Sequence, residues 1–165
     1  MKSIKFYALH LLLTVALMSF TVKKDTPTYT PPRDETMRLI GEVLTKARTY
    51  TGTPYKWGGI KSSGLDCSAL VVLSFSSIGM KLPRTSSEIA DLGTRVSLKN
   101  INPGDLVFFS TSPTREVNHI GIVSEYRSDK EIRFIHSVTG GGVKEDNIFA
   151  EKYMRIFVKA TRVFN

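Results

Sequence analysis

The sequence predicts an α+β domain, with helices first and an antiparallel β-sheet after them. Three observations carry this. Apolar residues recur at helical spacing in the first half of the 165-residue chain. The second half holds β-rich runs joined by a hairpin, the order expected of an α+β fold. The only cysteine, Cys67, stands where a polar loop gives way to an apolar helix-like run. Its thiol is therefore expected at a helix N-terminus, where partial positive charge favours the thiolate.

Taken in order, residues 1–22 read as a secretory signal. Lys2 and Lys5 form a basic start, and residues 6–20 are mostly apolar around Leu11-Leu12-Leu13. That run is short for a membrane span, which needs ~20 apolar residues; an uncleaved anchor is the alternative. Residues 23–35 are polar and proline-rich and read as a linker. The folded domain is expected over 36–165. Asp34 is placed to cap a first helix whose buried face is Met37, Ile40, Leu44 and Ala47, ended by residues 50–54. Residues 54–65 form a glycine-containing loop with two large aromatics, Tyr55 and Trp57. These either line a cleft or cover the core.

Residues 67–78 form the second helix, ended by Gly79. Thr85 and Glu88 have capping-box spacing for a short third helix. Pro103-Gly104-Asp105 is a turn before a buried strand, Leu106-Val107-Phe108-Phe109. Strands are expected over 119–126 and 131–138, with a hairpin turn centred on Arg127-Ser128. Gly140-Gly141-Gly142 breaks the chain, and residues 155–164 form a last strand.

Composition narrows the function. With 41% apolar and 23% charged residues the chain is globular. One cysteine excludes an internal disulfide framework and a Cys-rich zinc site. A net charge of +8 suits anionic surroundings such as a cell-wall polymer, lipid headgroups or nucleic acid. No Lys/Arg run exceeds two residues and none interleaves with aromatics, which argues against nucleic acid.

Of the three histidines, His10 falls in the leader, leaving His119 and His136. Strand alternation puts His119, Gly121, Val123 and Glu125 on one face, and Ile132, Phe134, His136 and Val138 on one face of the next strand. Pairing Glu125 with Lys130 beside the turn sets His119 directly opposite His136. A one-residue slip would send the two imidazoles to opposite faces. A thiolate needs an imidazole as base, and that imidazole needs a polar group to orient it. Cys67, His119 and His136 fill those roles, with the order of the histidines open. The same three residues are also a possible zinc set, although their long spacings and the lack of H-E-x-x-H or C-x-x-C speak against it. The plain alternative is a buried cysteine and two structural strand histidines.

Several segments together resemble the NlpC family of bacterial cell-wall peptidases, which are papain-like cysteine hydrolases. In order they are Pro54-Tyr55-Lys56-Trp57-Gly58-Gly59, Leu65-Asp66-Cys67-Ser68, Leu82-Pro83-Arg84-Thr85-Ser86, Pro103 to Phe109, His119-Ile120-Gly121-Ile122-Val123 and Phe134-Ile135-His136-Ser137. The resemblance spans residues 36–164. It implies a papain-like fold with Cys67 as nucleophile, His119 as base and His136 as the third polar member. It further implies Tyr55 at the oxyanion site, and Asp66 and Ser68 as contacts to the free amine of a short stem peptide. Trp57 and Arg84 are expected to line the cleft. The family usually has glycine where this chain has Ala69, a small residue and a better helix former.

The implied activity is hydrolysis of an amide in peptidoglycan stems, at the γ-D-glutamyl–diamino acid bond, with no metal or cofactor. The implied setting is the periplasm or cell envelope, with peptidoglycan or muropeptides as partner, the chain a monomer, and membrane contact only through an uncleaved leader. The alternatives are another amide hydrolase or acyltransferase on the same scaffold, such as an N-acetylmuramoyl-L-alanine amidase, or a silent wall-binding protein.

Overall fold

The computed structural model describes residues 33–164. The leader and residues 23–32 of the linker lie outside them. The first helix, α1, runs Arg33–Arg48. It takes in residues 33–35, which the sequence reading placed in the linker. Asp34 therefore sits in the first turn beside Glu35, where a carboxylate favours the helix dipole, and does not cap the helix. The buried stripe is Ile40, Val43, Leu44 and Ala47. Met37, expected in that stripe, is 58% exposed. It lies one turn nearer the helix start, on an open groove with Ile40, Pro103 and Phe164.

Residues 54–65 are not wholly loop. Two short strands, β1 (Ile60–Lys61) and β2 (Gly64–Leu65), form a small hairpin, and Tyr55 bridges to Leu65. Helix α2 (Cys67–Ser76) follows at once. Seven of its residues, Cys67 to Val71 with Ser74 and Phe75, are buried. An all-round apolar helix of this kind belongs in the interior. It ends two residues earlier than expected, at Ser76 with Ser77 as its cap, before Gly79 turns with φ +77°. Helix α3 (Ser86–Ile89) has the expected capping box between Thr85 and Glu88.

The sheet has six strands: β3 (Thr94–Val96), β4 (Leu106–Phe109), β5 (His119–Ser128), β6 (Glu131–Val138), β7 (Gly142–Asn147) and β8 (Phe157–Arg162). Their order is β3-β8-β4-β5-β6-β7, with every adjacent pair antiparallel. Helix α4 (Glu151–Ile156) precedes β8 and takes residues 155–156, which the sequence reading gave to the last strand. β3, β7 and α4 were not foreseen. β7 is a charged edge strand without apolar alternation, and α4 is six residues long with no side-chain cap.

Both faces of the sheet are covered. Leu106, Phe108, Ile120, Ile122 and Ile135 pack with α1 and α2. Val107, Phe109, Val123, Ile132 and Phe134 pack with Ile148 and with Tyr153 of α4. Strand alternation delivers the two sets to opposite faces.

The hairpin register differs from expectation. Ile122 pairs with Ile135 and Val123 with Phe134, and the register shifts at Val123/Glu125 and again at Tyr126/Ser128. Glu125 faces Arg133, not Lys130, and the turn is at Asp129-Lys130. Continued toward the strand start, this register sets Gly121 opposite His136. The displacement from the expected pairing is thus two residues. An even displacement preserves side-chain parity, so the histidines still share a face and meet diagonally.

Candidate active site

The site begins with a helix cap. Asp66 has extended backbone and its carboxylate accepts the Ala69 N–H at 2.7 Å, which starts α2 at Cys67. Arg84 grips the same carboxylate with both guanidinium nitrogens, at 3.1 and 2.6 Å, and reaches Ser68 Oγ at 2.8 Å. Ser68 in turn donates to Asp66 at 3.1 Å. Burial works against ionisation of Asp66, but Arg84 and the Ala69 N–H outweigh it and hold the carboxyl below its usual range.

Cys67 is a buried free thiol whose Sγ lies 4.0 Å from the Asn118 carbonyl oxygen, one residue before His119. The backbone N–H groups of Ile120, Ser68 and Cys67 favour its thiolate, but burial prevails, assisted by the adjacent Asp66 charge, and pushes the thiol up. The helix N-terminus therefore does not by itself yield a resting thiolate, as the sequence suggested. Desolvation outweighs the N–H groups here.

The peptide that carries the cysteine is tied to the histidine strand. Ser137, fully buried on β6, donates to the Leu65 carbonyl at 2.7 Å. Leu65 N–H donates to Pro54 O and Lys56 N–H to Leu65 O, which fastens the Tyr55 loop to the same point. Burial raises the Tyr55 pKa, and the nearby Cys67 and Asp66 add to it, so the phenol stays protonated. At the start of β7, Gly142 has φ +63°, and a Cβ there would lie 2.3 Å from the Thr53 carbonyl oxygen. Glycine allows that close approach.

His119 Nε2 lies 2.8 Å from His136 Nδ1, with the rings nearly perpendicular. His136 is fully buried between Phe134, at a ring distance of 4.4 Å, and Tyr153, at 5.4 Å. Its Nε2 faces Asp146 Oδ2 at 3.1 Å and the Tyr153 hydroxyl at 3.2 Å. Gly121 makes the diagonal contact possible. A Cβ there would meet Phe134 at 2.6 Å, the Ile135 carbonyl at 2.9 Å and His136 Cβ at 3.1 Å. Burial, then the neighbouring imidazole, lowers the His119 pKa from 6.5 to about 3. Burial lowers that of His136 to about 4, against the pull of Asp146. At neutral pH the site thus rests as a thiol beside two neutral imidazoles.

Comparison with known proteins decides what kind of domain this is. The model of the NlpC/P60 family matches residues 52–162. The chain belongs to the NlpC/P60 family. Over 154 residues it is 29% identical to a probable endopeptidase NlpC of Escherichia coli, covering 93% of this chain and 97% of that protein. Over 82 residues it is 40% identical to a gamma-DL-glutamyl hydrolase of Bacillus subtilis, covering 48% of this chain and 20% of that one. A solved NLP/P60 family structure from Staphylococcus aureus superposes with a TM-score of 0.67 at 26% identity, covering 86% of this chain and 45% of that chain. The α+β arrangement is accordingly the papain-like one.

In this NlpC/P60 domain the structure brings Cys67, His119 and His136 to one end of strands β5 and β6, with Tyr55, Asp66, Ser68 and Arg84 near Cys67. Trp57 stands apart at 86% exposure; it does not cover the core, which removes one of the two readings of its loop. Asp146 and Tyr153, which bond His136, were missed. Asp146 lies in the unforeseen strand β7 and Tyr153 in the unforeseen helix α4, so no periodicity marked either. His136 alone, a histidine needing a partner for its second nitrogen, was the available signal.

Proposed function

We propose that this NlpC/P60 peptidase is an exported cysteine endopeptidase acting on peptidoglycan stem peptides, with Cys67 as nucleophile and His119 as base. The observation that carries the reading is the hydrogen-bonded imidazole pair beside a thiol at a helix start. The E. coli and B. subtilis relatives, named as a probable endopeptidase and a gamma-DL-glutamyl hydrolase, support peptide-bond hydrolysis at a γ-glutamyl linkage. The basic leader-like start of residues 1–22 supports export to the periplasm or cell envelope. Among the described residues, no helix is long and apolar enough to cross a membrane.

The reaction is acyl transfer to water. Because the resting pair is neutral, His119 takes the thiol proton as Sγ attacks the amide carbonyl carbon. The N–H groups at the start of α2 hold the oxyanion, with the Tyr55 hydroxyl assisting. Protonated His119 then donates to the amine nitrogen as the C–N bond breaks, leaving a thioester on Cys67. Water attacks the thioester carbonyl and gives its proton to His119, the C–S bond breaks, and the sulfur recovers the proton. No cofactor enters. Asp66, neutralised by Arg84 yet with Oδ2 bonded only to one Arg84 nitrogen, and Ser68 line the approach of a stem-peptide amine. A zinc site would need nitrogens of both histidines, and two of these are engaged with each other.

The test is digestion of purified peptidoglycan by wild type and by Cys67→Ala, with the products read by mass spectrometry. Stem fragments ending in D-glutamate are expected from wild type and none from the variant. Intact stems freed from sugar would reassign the enzyme as an amidase, and unchanged cleavage by Cys67→Ala would remove the cysteine from the mechanism.

A further inference from the structure

We infer that Asp146, assisted by the Tyr153 hydroxyl, is a positioning residue that sets the tautomer of His136 and, through it, which nitrogen of His119 serves as base. The inference rests on the catalytic reading above and extends it by two residues.

A hydrogen-bonded line steps diagonally across three strands: His119 on β5, His136 on β6 and Asp146 on β7. His136 pairs directly with Lys144, and Phe134 with Asp146, so Asp146 sits two residues along from the position opposite His136. His119 holds the same diagonal relation to His136 on the other side. Side chains at such diagonals share a face and reach one another when long or aromatic.

A neutral imidazole carries one N–H and one lone pair. His136 Nε2 faces two oxygens, Asp146 Oδ2 at 3.1 Å and Tyr153 Oη at 3.2 Å. The Tyr153 hydroxyl donates its own proton to Asp146 Oδ2, so its oxygen is left as an acceptor. Lys144 Nζ at 3.0 Å and Lys152 Nζ at 3.6 Å flank the same carboxylate oxygen, and hydrogen bonds from Tyr153, Lys144 and His136 favour its ionised form. Both oxygens facing Nε2 are therefore acceptors, and His136 satisfies them only with the proton on Nε2. Its Nδ1 then accepts, so His119 must place its proton on Nε2 across the 2.8 Å contact. His119 Nδ1 is left with the lone pair. The opposite arrangement sets a lone pair against the carboxylate inside a cage of Phe134, Phe109 and Tyr153. In such low-dielectric surroundings an acceptor facing an acceptor is strongly disfavoured.

The groups facing Asp146 are His136 from β6, Lys144 from its own strand, and Lys152 and Tyr153 from α4; His119 lies one step further on. Asp146 accepts hydrogen bonds throughout and exchanges no proton.

Nitrogen-15 NMR of histidine-labelled protein reads both tautomers directly and needs no substrate. In wild type, His136 and His119 are both expected as the Nε2–H form; a His136 protonated on Nδ1 in the folded protein overturns the inference without any variant. Asp146→Leu should mix the tautomers, lower kcat ten- to a hundredfold and leave KM within twofold. The paired change Lys144→Gln with Lys152→Gln removes the ion pairs but keeps the carboxylate, and should leave tautomers and kcat near wild type. If that pair reproduces the Asp146→Leu loss, Asp146 is an ion-pair anchor and the inference fails. Tyr153→Phe should give a smaller loss of about three- to fivefold in kcat, and serves if Asp146→Leu does not fold; unchanged tautomer populations and kcat in Tyr153→Phe would remove the hydroxyl from the assignment. Expected tautomers in a protein that leaves peptidoglycan uncut would count against the function alone.

Discussion

The two halves of the site lower the proton affinity of their groups for opposite reasons. At the start of α2, Asp66 is held ionised because its charge is satisfied by Arg84, Ser68 and the Ala69 N–H. At the end of the sheet, His119 and His136 are held neutral because burial among Phe109, Phe134 and Tyr153 disfavours their charge, at His136 even against the pull of Asp146. One region stabilises a buried charge with an ion pair and hydrogen bonds, and the other disfavours charge. The proposed chemistry uses both: a fixed carboxylate that caps the Cys67 helix, and neutral imidazoles able to receive a proton from the thiol.

The largest expected break in that contrast is acid. Above pH 6.5 the histidines are neutral in folded and unfolded chains alike. Below it the unfolded chain gains protons, while folded His119 and His136 resist to about 3 and about 4. Within that window each pH unit costs about 1.4 kcal/mol of stability per histidine. The carboxylates Asp66 and Asp146, both held below their ordinary 3.8, lose their contribution only lower still. The melting temperature should therefore fall steeply from pH 6.5 to 4, and His136→Gln should flatten the slope. A melting temperature constant from pH 6.5 to 4.5 would contradict the burial account.

A smaller break is steric. Gly121→Ala puts a methyl group against Phe134, the Ile135 carbonyl and His136. The overpacking should cost about 1–3 kcal/mol in urea denaturation, together with more than a tenfold drop in kcat as the imidazoles are pushed apart. Equal loss of stability with kcat intact would show that the diagonal contact tolerates displacement.

The smallest break falls on the charged side. Arg84→Ala leaves Asp66 without its counter-ion, but Arg84 is 43% exposed, so water replaces much of what is lost. A stability loss of about 1 kcal/mol is expected, read by the same denaturation. Stem-peptide KM should change more than kcat, and the reverse split would place Arg84 nearer the reacting atoms.

Reading the sequence was most successful where structure is decided within a few residues. The Asp66 cap, the Thr85/Glu88 capping box and the Pro103-Gly104 turn, closed by Asp105 on the Asn102 N–H, depend on side chains bonding backbone three positions away. It was less successful where the partner is remote in chain or weak in pattern. The displaced hairpin register comes from two shifts at Val123/Glu125 and Tyr126/Ser128, and no residue type announces them. Strand β7 is half-exposed and charged, as edge strands commonly are, and so lacked the alternation that reveals a strand.

The sequence by itself determined the α+β order, the thiol at a helix start and the parity that keeps His119 and His136 on one face. These follow from capping chemistry and the two-residue period of a strand, which survive an even change of register. Only the tertiary structure decided that the histidines meet diagonally over Gly121, that Asp146 and Tyr153 lie behind His136, and that burial favours the neutral form of both rings. Those depend on which strands close against one another and on what packs over them, and such contacts are fixed by the assembled core.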